Sequence, residues 1–167
     1  IKGTSVLVSV TLLIGLGLSA VSPQMSSAST VVSVSAVRDT FVSSARPNEN
    51  HAKTSVLRVR NGNPSKTAYF GFANVIPADA IIESASLELS SKTSGSDLSV
   101  RWTSYFEDSI TFSEAPAVTT TVLGKIASFK SGSRISIPLD LAGNTSKNLE
   151  LALTTSQTSS DVMVYSS

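Results

Sequence analysis

The segment from Asp39 to Leu89 decides the fold class of this chain. It consists of these pieces, in order: Asp39-Thr-Phe-Val42, Arg46-Pro-Asn-Glu-Asn-His-Ala52, Leu57-Arg-Val-Arg60, Ala68-Tyr-Phe-Gly-Phe72, Pro77 and Ala85-Ser-Leu-Glu-Leu89. The apolar pieces are short, and Pro, Asn or Gly bounds them. Alternation of apolar and polar residues with a period of two is typical of strands that bury one face. The segment therefore predicts consecutive β-strands.

The same pattern continues along the chain and predicts eight to ten strands with no helix. The candidates are Val31–Ala36, Thr40–Val42, Ser55–Arg60, Thr67–Phe72, Ile81–Ser90, Leu98–Ser104, Thr119–Leu123, Arg134–Leu139, Leu149–Thr154 and Asp161–Tyr165. Turn residues separate them, for example at Ser94-Gly-Ser-Asp97, and Pro77 makes residues 75–80 a connection rather than a strand. Many short strands without helical periodicity predict an all-β fold, an antiparallel β-sandwich of jelly-roll-like architecture.

Composition excludes several classes of function. Cysteine is absent, which excludes disulfides, thiolate metal sites and a cysteine nucleophile. The net charge of +1 gives no reason to expect a nucleic-acid partner. Charged residues make up 15% of the chain, below the roughly 25% of ordinary soluble domains, and Ser and Thr take their place. This composition suits an extracellular β-protein with neutral polar outer faces.

The first 28 residues are predicted to be a secretory signal peptide. Lys2 is the only charge before Arg38, Val6 to Leu18 is apolar, and Ser26-Ser-Ala28 offers a small-x-small cleavage site. An uncleaved membrane anchor is the alternative, but the apolar stretch is shorter than the about 20 residues of a spanning helix. We therefore expect a secreted protein with no membrane association once residues 1–28 are removed.

The ordered set of motifs resembles the DNRLRE-type carbohydrate-binding modules. The resemblance rests on Asp39 and Val42, Pro47 and Asn50, Tyr69 to Phe72, Pro77, Ile82-Glu-Ser-Ala-Ser-Leu-Glu-Leu89, Tyr105-Phe-Glu-Asp-Ser-Ile-Thr111 and Ala115-Pro116. Gly71, Ala52 and Tyr105 depart from the family's usual residues. The chain stops at Val164-Tyr-Ser-Ser167, where the family's closing Ser-Arg-Glu motif and last strand would begin. Residues 29–167 are thus expected to form one module that lacks its last strand, ahead of a missing downstream region.

Catalysis finds little support in the sequence. His51, the one histidine, lies in a turn with no serine and acid grouped around it. Glu107 and Asp108 are adjacent, so in an extended chain they point to opposite faces and do not form the carboxylate pair that glycoside hydrolysis needs. We predict that the module is not an enzyme, although it is the kind of accessory region that larger enzymes carry. A small polysaccharide lyase or hydrolase is the weakest alternative.

The residues predicted to bind carbohydrate are aromatic or basic. Sugar sites stack aromatic rings on apolar sugar faces and hydrogen-bond the hydroxyls. The candidates are Trp102, Tyr105, Phe106 and Arg101, with Arg58 and Arg60 as an alternative site for the carboxylates of an acidic polysaccharide. Trp102 shares a strand face with Leu98 and Val100, so a place in the core is its competing interpretation.

The resemblance also implies a structural Ca²⁺, for which Asp39 and Asn50 are the candidate ligands; turn capping explains these residues equally well. The predicted function is a non-catalytic carbohydrate-binding module that brings its partner region to a polysaccharide or cell-wall glycan. The alternative is a structural or adhesive β-sandwich of a cell-surface protein that binds no glycan.

Overall fold

A computed structural model describes residues 9–16, 30–76 and 80–166 of the chain. Within these ranges it contains eleven strands and one short 3₁₀ helix, Phe112–Glu114. The strands are β1 (Ser9–Leu16), β2 (Thr30–Ser35), β3 (Arg38–Ser43), β4 (Val56–Val59), β5 (Lys66–Phe72), β6 (Ala80–Ser90), β7 (Gly95–Thr103), β8 (Val118–Phe129), β9 (Arg134–Leu139), β10 (Leu149–Thr155) and β11 (Val162–Tyr165). Each predicted strand overlaps one of β2 to β11.

The strands form two main antiparallel sheets and a small third one. Sheet A has the order β2-β1-β6-β9, sheet B has the order β3-β5-β10-β7-β8, and β11 pairs with β4. Every strand pair is antiparallel. The predicted all-β antiparallel sandwich is confirmed.

The core lies between the sheets, and the period of two places its side chains. In sheet B, Phe70 of β5 lies opposite Leu151 of β10, which lies opposite Trp102 of β7. In sheet A, Leu87 of β6 lies opposite Ile137 of β9, and both are fully buried. Burial of each large apolar side chain contributes about 1.5–3 kcal/mol to stability, so this core replaces the absent disulfides.

A loop covers the outer face of sheet B and forms a second, smaller apolar cluster. Phe106 and Ile110 of the β7–β8 connection pack on the cluster formed with Val42, Tyr69 and Ala152. The Tyr69 hydroxyl donates a hydrogen bond to the carbonyl of Pro116, and burial raises the pKa of Tyr69 to about 12. This cover fixes where the end of β7 and the residues after it lie.

Two strand boundaries differ from the predictions, each for a physical reason. The predicted turn at Ser94–Asp97 is wrong, because β7 already begins at Gly95. Within β7, Asp97 has a positive φ of 52°, and the β7–β8 register includes no pair for it. A Cβ on Gly95 would lie 2.6 Å from the Phe129 ring, so any other residue there would require the Phe129 side chain to shift. β8 runs to Phe129 rather than ending at Leu123, and Gly124 lets it lie directly on β9.

Strand β1 lies inside the predicted signal peptide. It pairs with β2 over Ser9–Ile14 and with β6 over Ser9–Leu16, in the interior of sheet A. The other residues of the predicted leader lie outside the described part of the chain, and its cleavage after Ala28 stays a prediction. Among the described residues, none of the helical structure has the length and apolar character to cross a membrane.

Candidate functional site

A groove lies at the end of sheet B where β7 ends and β10 begins. It encloses about 200 Å³ and is lined by Trp102, Thr103, Asn144, Ser146, Asn148 and Glu150. We call it the Trp102 groove. The end of β7 supplies one wall, and the loop that leads into β10 supplies the other. The groove therefore joins residues that lie more than 40 positions apart in the chain.

Trp102 has a place both in the core and in the groove. Its backbone is in register with Leu151, whose side chain is fully buried, and the Trp102 ring packs against the main core. The side chain is nevertheless only half-buried, because Trp102 is the second-last residue of β7 and the sheet ends beside it. The core packing predicted from the sequence and a sugar-facing surface are therefore compatible.

Two residues that line the groove each carry a buried polar atom with no hydrogen-bond partner among the described residues. These atoms are the amide nitrogen Nδ2 of Asn144, a donor, and the carboxylate oxygen Oε2 of Glu150, an acceptor. A buried polar group without a partner costs about 1–3 kcal/mol, so such groups mark places where water or a ligand completes the pairing. The side-chain oxygen of Asn148, by contrast, accepts a hydrogen bond from the backbone of Asn74.

Arg38 connects the groove to the loop that follows β7. Its guanidinium donates to Oε1 of Glu150 at 2.6 Å and lies 4.6 Å from the centre of the Tyr105 ring. Burial raises the pKa of Glu150, and the charge and hydrogen bond of Arg38 only partly oppose that rise. A Cβ on Gly71 would lie 2.7 Å from the Arg38 guanidinium. The unusual Gly71 thus makes room for Arg38, which lies opposite it in the β3–β5 register.

Tyr105 and Phe106 lie on opposite sides of the loop backbone. Tyr105 is 58% exposed, and its hydroxyl donates to Glu107, which is the main reason that the pKa of Tyr105 lies above its ordinary value. Phe106 is 2% exposed, with its ring centre 5.6 Å from that of Tyr69. Only Tyr105 of the two presents an accessible ring, at the rim next to Arg38.

Arg101, the remaining residue of the predicted aromatic site, has a local structural contact. Its guanidinium donates to the carbonyls of Thr119 and Thr120 and so holds the beginning of β8. It lies on the outer face of β7, opposite Ala152 in register, whereas Trp102 lies on the inner face. The structure thus brings Trp102 to the groove and Tyr105 to its rim, and gives Arg101 and Phe106 other positions.

A second and larger cavity of about 390 Å³ lies at the opposite end of the β3–β5 pair. Its lining includes Arg46, His51, Arg58 and Lys66, and we call it the basic pocket. The end of β3 at Ser43 pairs with Lys66, and its beginning at Arg38 pairs with Gly71. Five residue steps of about 3.3 Å separate the two ends, so the two sites are roughly 17 Å apart along the strands.

In the basic pocket, two positively charged side chains pair with one negatively charged side chain. Arg58 and Lys66 both contact the single carboxylate of Asp161, at 3.1 and 2.6 Å. Burial opposes ionisation of Asp161, but the hydrogen bonds and charges of Lys66 and Arg58 outweigh burial and hold its pKa below the ordinary value. Arg60, the other predicted acidic-sugar residue, instead donates to the carbonyl of Thr158. Of the predicted arginine pair, only Arg58 lines this pocket.

His51 forms one wall of the basic pocket. Its ring stacks on Phe41 with centres 4.1 Å apart and planes 7° apart. The ring nitrogen Nε2 is buried without a partner, and Nδ1 lies 3.7 Å from the carboxylate of Glu49. Burial lowers the pKa of His51, an effect that Glu49 only partly opposes.

The residues predicted to hold calcium have different surroundings. The Asn50 amide nitrogen donates to the carbonyls of Asp108 and Ile110, and its oxygen accepts from the backbone of Ala52. Asn50 therefore fixes two loops, as the turn-capping interpretation expects, and the ligand pair of Asp39 and Asn50 stays a prediction. Over the described ranges, no cluster of three or more His, Asp or Glu residues is placed to hold a metal ion. The calcium ion stays a prediction of the resemblance.

Sequence reasoning missed Arg38, Asn144 and Glu150. The role of Arg38 was not predictable because its partners are in β10 and in the loop after β7, and the sequence alone does not place either of them next to β3. For Asn144 and Glu150 one signal was present: a polar run, Asn144-Thr-Ser-Lys-Asn148, stands directly before a strand. Loops at strand ends commonly carry binding residues, but this run was not among the residues predicted to bind carbohydrate.

Comparison with known proteins gives one match. Residues 30–166 match the sequence profile of carbohydrate-binding module family 96. The match begins at the first residue of β2 and continues past the last residue of β11, so it spans both sheets apart from β1. No curated protein matches the chain in sequence.

Proposed function

Since this chain belongs to carbohydrate-binding module family 96, we propose that its glycan site is the Trp102 groove. Modules of such a family bind carbohydrate without catalysis. The observation that supports this location is a groove lined by the chain's single tryptophan together with Asn144 and Glu150, each of which has a buried polar atom, Nδ2 and Oε2, without a partner among the described residues. One is a donor and the other an acceptor, and a sugar hydroxyl can satisfy either.

Each element of the groove has a role in this proposal. The exposed part of the Trp102 ring packs against the apolar face of a sugar ring. When the Asn144 and Glu150 side chains turn toward the groove, Asn144 donates to one hydroxyl and Glu150 accepts from another, so that binding satisfies two polar atoms that are buried without partners in the free protein. Tyr105, positioned by Arg38, extends the contact along the rim toward the next sugar unit. Because Arg38 compensates the charge of Glu150, the groove has no unmatched charge among its lining residues and suits a neutral glycan.

We further propose that the module is exported and serves a partner region. Removal of residues 1–28 leaves residues 29–167 outside the cell, attached to a downstream region that includes the module's last strand. Binding to a polysaccharide or cell-wall glycan keeps that region near its substrate and so raises the effective concentration. The predicted leader and the resemblance of the ordered motifs support this part of the proposal.

The basic pocket supports a second candidate, binding of an acidic glycan. Arg58 and Lys66 share one carboxylate, so their combined charge is not neutralised. Arg46 lines the same pocket and is 69% exposed at its side chain. A sugar carboxylate suits such a site because guanidinium groups bind carboxylates in bidentate geometry. Binding there would weaken as salt concentration rises, whereas stacking on Trp102 would not.

Retention on polysaccharides separates these candidates. The protein is applied to panels of neutral and acidic polysaccharides, alongside Asn144→Ala for the groove, Arg46→Ala for the basic pocket, and Asn61→Ala as an exposed control asparagine. We expect wild-type protein and N61A to be retained on a neutral glycan and N144A to bind it roughly two- to tenfold more weakly, the loss of one hydrogen bond.

If retention is lost only in R46A, only on acidic glycans and in a strongly salt-dependent way, the glycan site is the basic pocket. Retention on no glycan at all would contradict both locations. That result would favour the alternative of a structural or adhesive module.

A further inference from the structure

Strand β1 occupies a position that the predicted processing would vacate. It lies between β2 and β6 and pairs with both, so its backbone completes hydrogen bonds on two sides. Residue 10 lies in register with Val34 of β2 on one side and Leu87 of β6 on the other. Residue 12 lies in register with Val32 of β2 and Ala85 of β6. Val32 and Val34 pack against the main core, and Leu87 and Ala85 are buried in it. Cleavage after Ala28 would remove this strand from the interior of sheet A.

The remaining strands cannot simply close the gap. Both β2 and β6 are antiparallel to β1, so they run in the same direction, and their axes lie roughly 9–10 Å apart, two strand spacings. Direct pairing would need a parallel ladder in an otherwise antiparallel sandwich. β2 is also held in place: Val32, Val34 and Ala36 pack on the core, and the Val37 amide donates to Gly71 of sheet B at 2.8 Å.

We propose that the gap between β2 and β6 is a strand-acceptor site. It is filled here by Ser9–Leu16 and, after leader removal, by an extended strand from the downstream region proposed above. This inference rests on the proposed leader cleavage and downstream region, and it is independent of where glycan binds. An open gap would leave the edges of two strands unpaired, and natural sheets avoid long unpaired edges because they invite aggregation.

The structure also defines the chemistry of the occupant. It is antiparallel to both neighbours, is about six to eight residues long, and is uncharged, as the sequence Ser-Val-Thr-Leu-Leu-Ile-Gly-Leu is. Apolar residues are needed at alternate positions, because Leu87 and Val34 flank the same register row and both face the core. Proline is excluded, since an interior strand donates and accepts on both sides.

The test uses the full chain with a specific protease site inserted between residues 17 and 29. The protein is cut after folding, and a labelled synthetic peptide of residues 9–16 is added in excess. The control peptide carries Leu12→Pro. A second protein, residues 29–167 made directly, is titrated with the same two peptides, and hydrogen exchange is followed at the amides of β2 and β6.

We expect the labelled peptide to replace the cut segment and to bind residues 29–167 saturably, with the proline peptide at least about tenfold weaker. Amide protection at Ser84–Leu87 should fall when the segment is removed and return when the peptide binds. Three results would overturn the proposal: no exchange of the cut segment, full protection of β6 in residues 29–167 alone, or a dimer of residues 29–167 that excludes the peptide. If residues 29–167 do not fold, exchange in the cut full chain still decides the matter. Glycan retention is measured separately, so failure of the proposed function is recognised independently.

Discussion

Arg38 and Glu150 give the sharpest prediction about the groove, because substitution of Arg38 should lower the stability of the fold much more than substitution of Glu150. Their side chains are 19% and 11% exposed, which places the pair between a surface ion pair and a buried one. Exposed pairs contribute about 0–1 kcal/mol, whereas removing one partner of a buried pair costs about 3–5 kcal/mol. Arg38→Met, which keeps the length of the side chain, should therefore cost about 2 kcal/mol. For a chain of this size that lowers Tm by roughly 4–8 °C.

Glu150→Gln should cost much less. The amide oxygen still accepts from Arg38, and the substitution removes a carboxylate whose burial raises the pKa of Glu150 above its ordinary value. Because the folded-state pKa is raised, ionisation of Glu150 destabilises the fold, and its contribution to stability falls as pH rises through the range above 4.5. We expect E150Q to lie within about 0.5 kcal/mol of wild type at pH 7, and to gain on wild type between pH 4 and pH 7.

The assay is urea unfolding of wild type, R38M, E150Q and the double variant at several pH values. In the double variant Arg38 and its charge partner are both gone, so its cost should be smaller than that of R38M alone. An E150Q cost equal to that of R38M at pH 7 would refute this reasoning, since attraction rather than burial would then dominate the pair. An E150Q advantage that shrinks as pH rises would refute it as well.

Three further predictions concern other parts of the fold. Burial lowers the pKa of His51 below 6.5, so wild type should lose stability relative to His51→Phe as pH falls from 7 to 5; thermal unfolding at each pH measures this, and parallel pH profiles would contradict it. A Cβ at Gly124 would lie 2.1 Å from the carbonyl oxygen of Pro138, so Gly124→Ala should destabilise by about 1–3 kcal/mol in urea unfolding, and a cost near zero would show that β8 does not lie directly on β9. The predicted calcium ion should raise the Tm in millimolar calcium and the rise should be absent in Asp39→Asn; a Tm unaffected by calcium or chelator would end that prediction.

The strands were predictable because their signal is local. In β6 and β9, residues alternate between buried and exposed, and a period of two can be recognised without knowing which strands pair. The first apolar run, Val6 to Leu18, was harder, because a short apolar stretch fits both a leader and an interior strand. The place of Ser9–Leu16 in sheet A depends on β2 and β6, which no local pattern identifies.

The candidate site was only partly predictable because long-range pairing creates it. Trp102 stands out as an aromatic residue at a strand end, but the groove exists only because β7 pairs with β10. The alternation rule places Tyr105 and Phe106 on opposite faces, yet it does not say which of them the outer cover buries. Gly71 looked like a departure from the family until the β3–β5 register placed Arg38 over it.

Tryptophan fluorescence tests the location of the glycan site most directly, since Trp102 is the chain's one tryptophan and lines the groove. The protein is titrated with each glycan that retains it, and N144A and R46A are titrated in parallel. We predict a saturable change in emission whose midpoint agrees with the retention affinity, is shifted roughly two- to tenfold in N144A, and is unchanged in R46A. A glycan that binds tightly while the Trp102 emission stays constant would place the site elsewhere on the module.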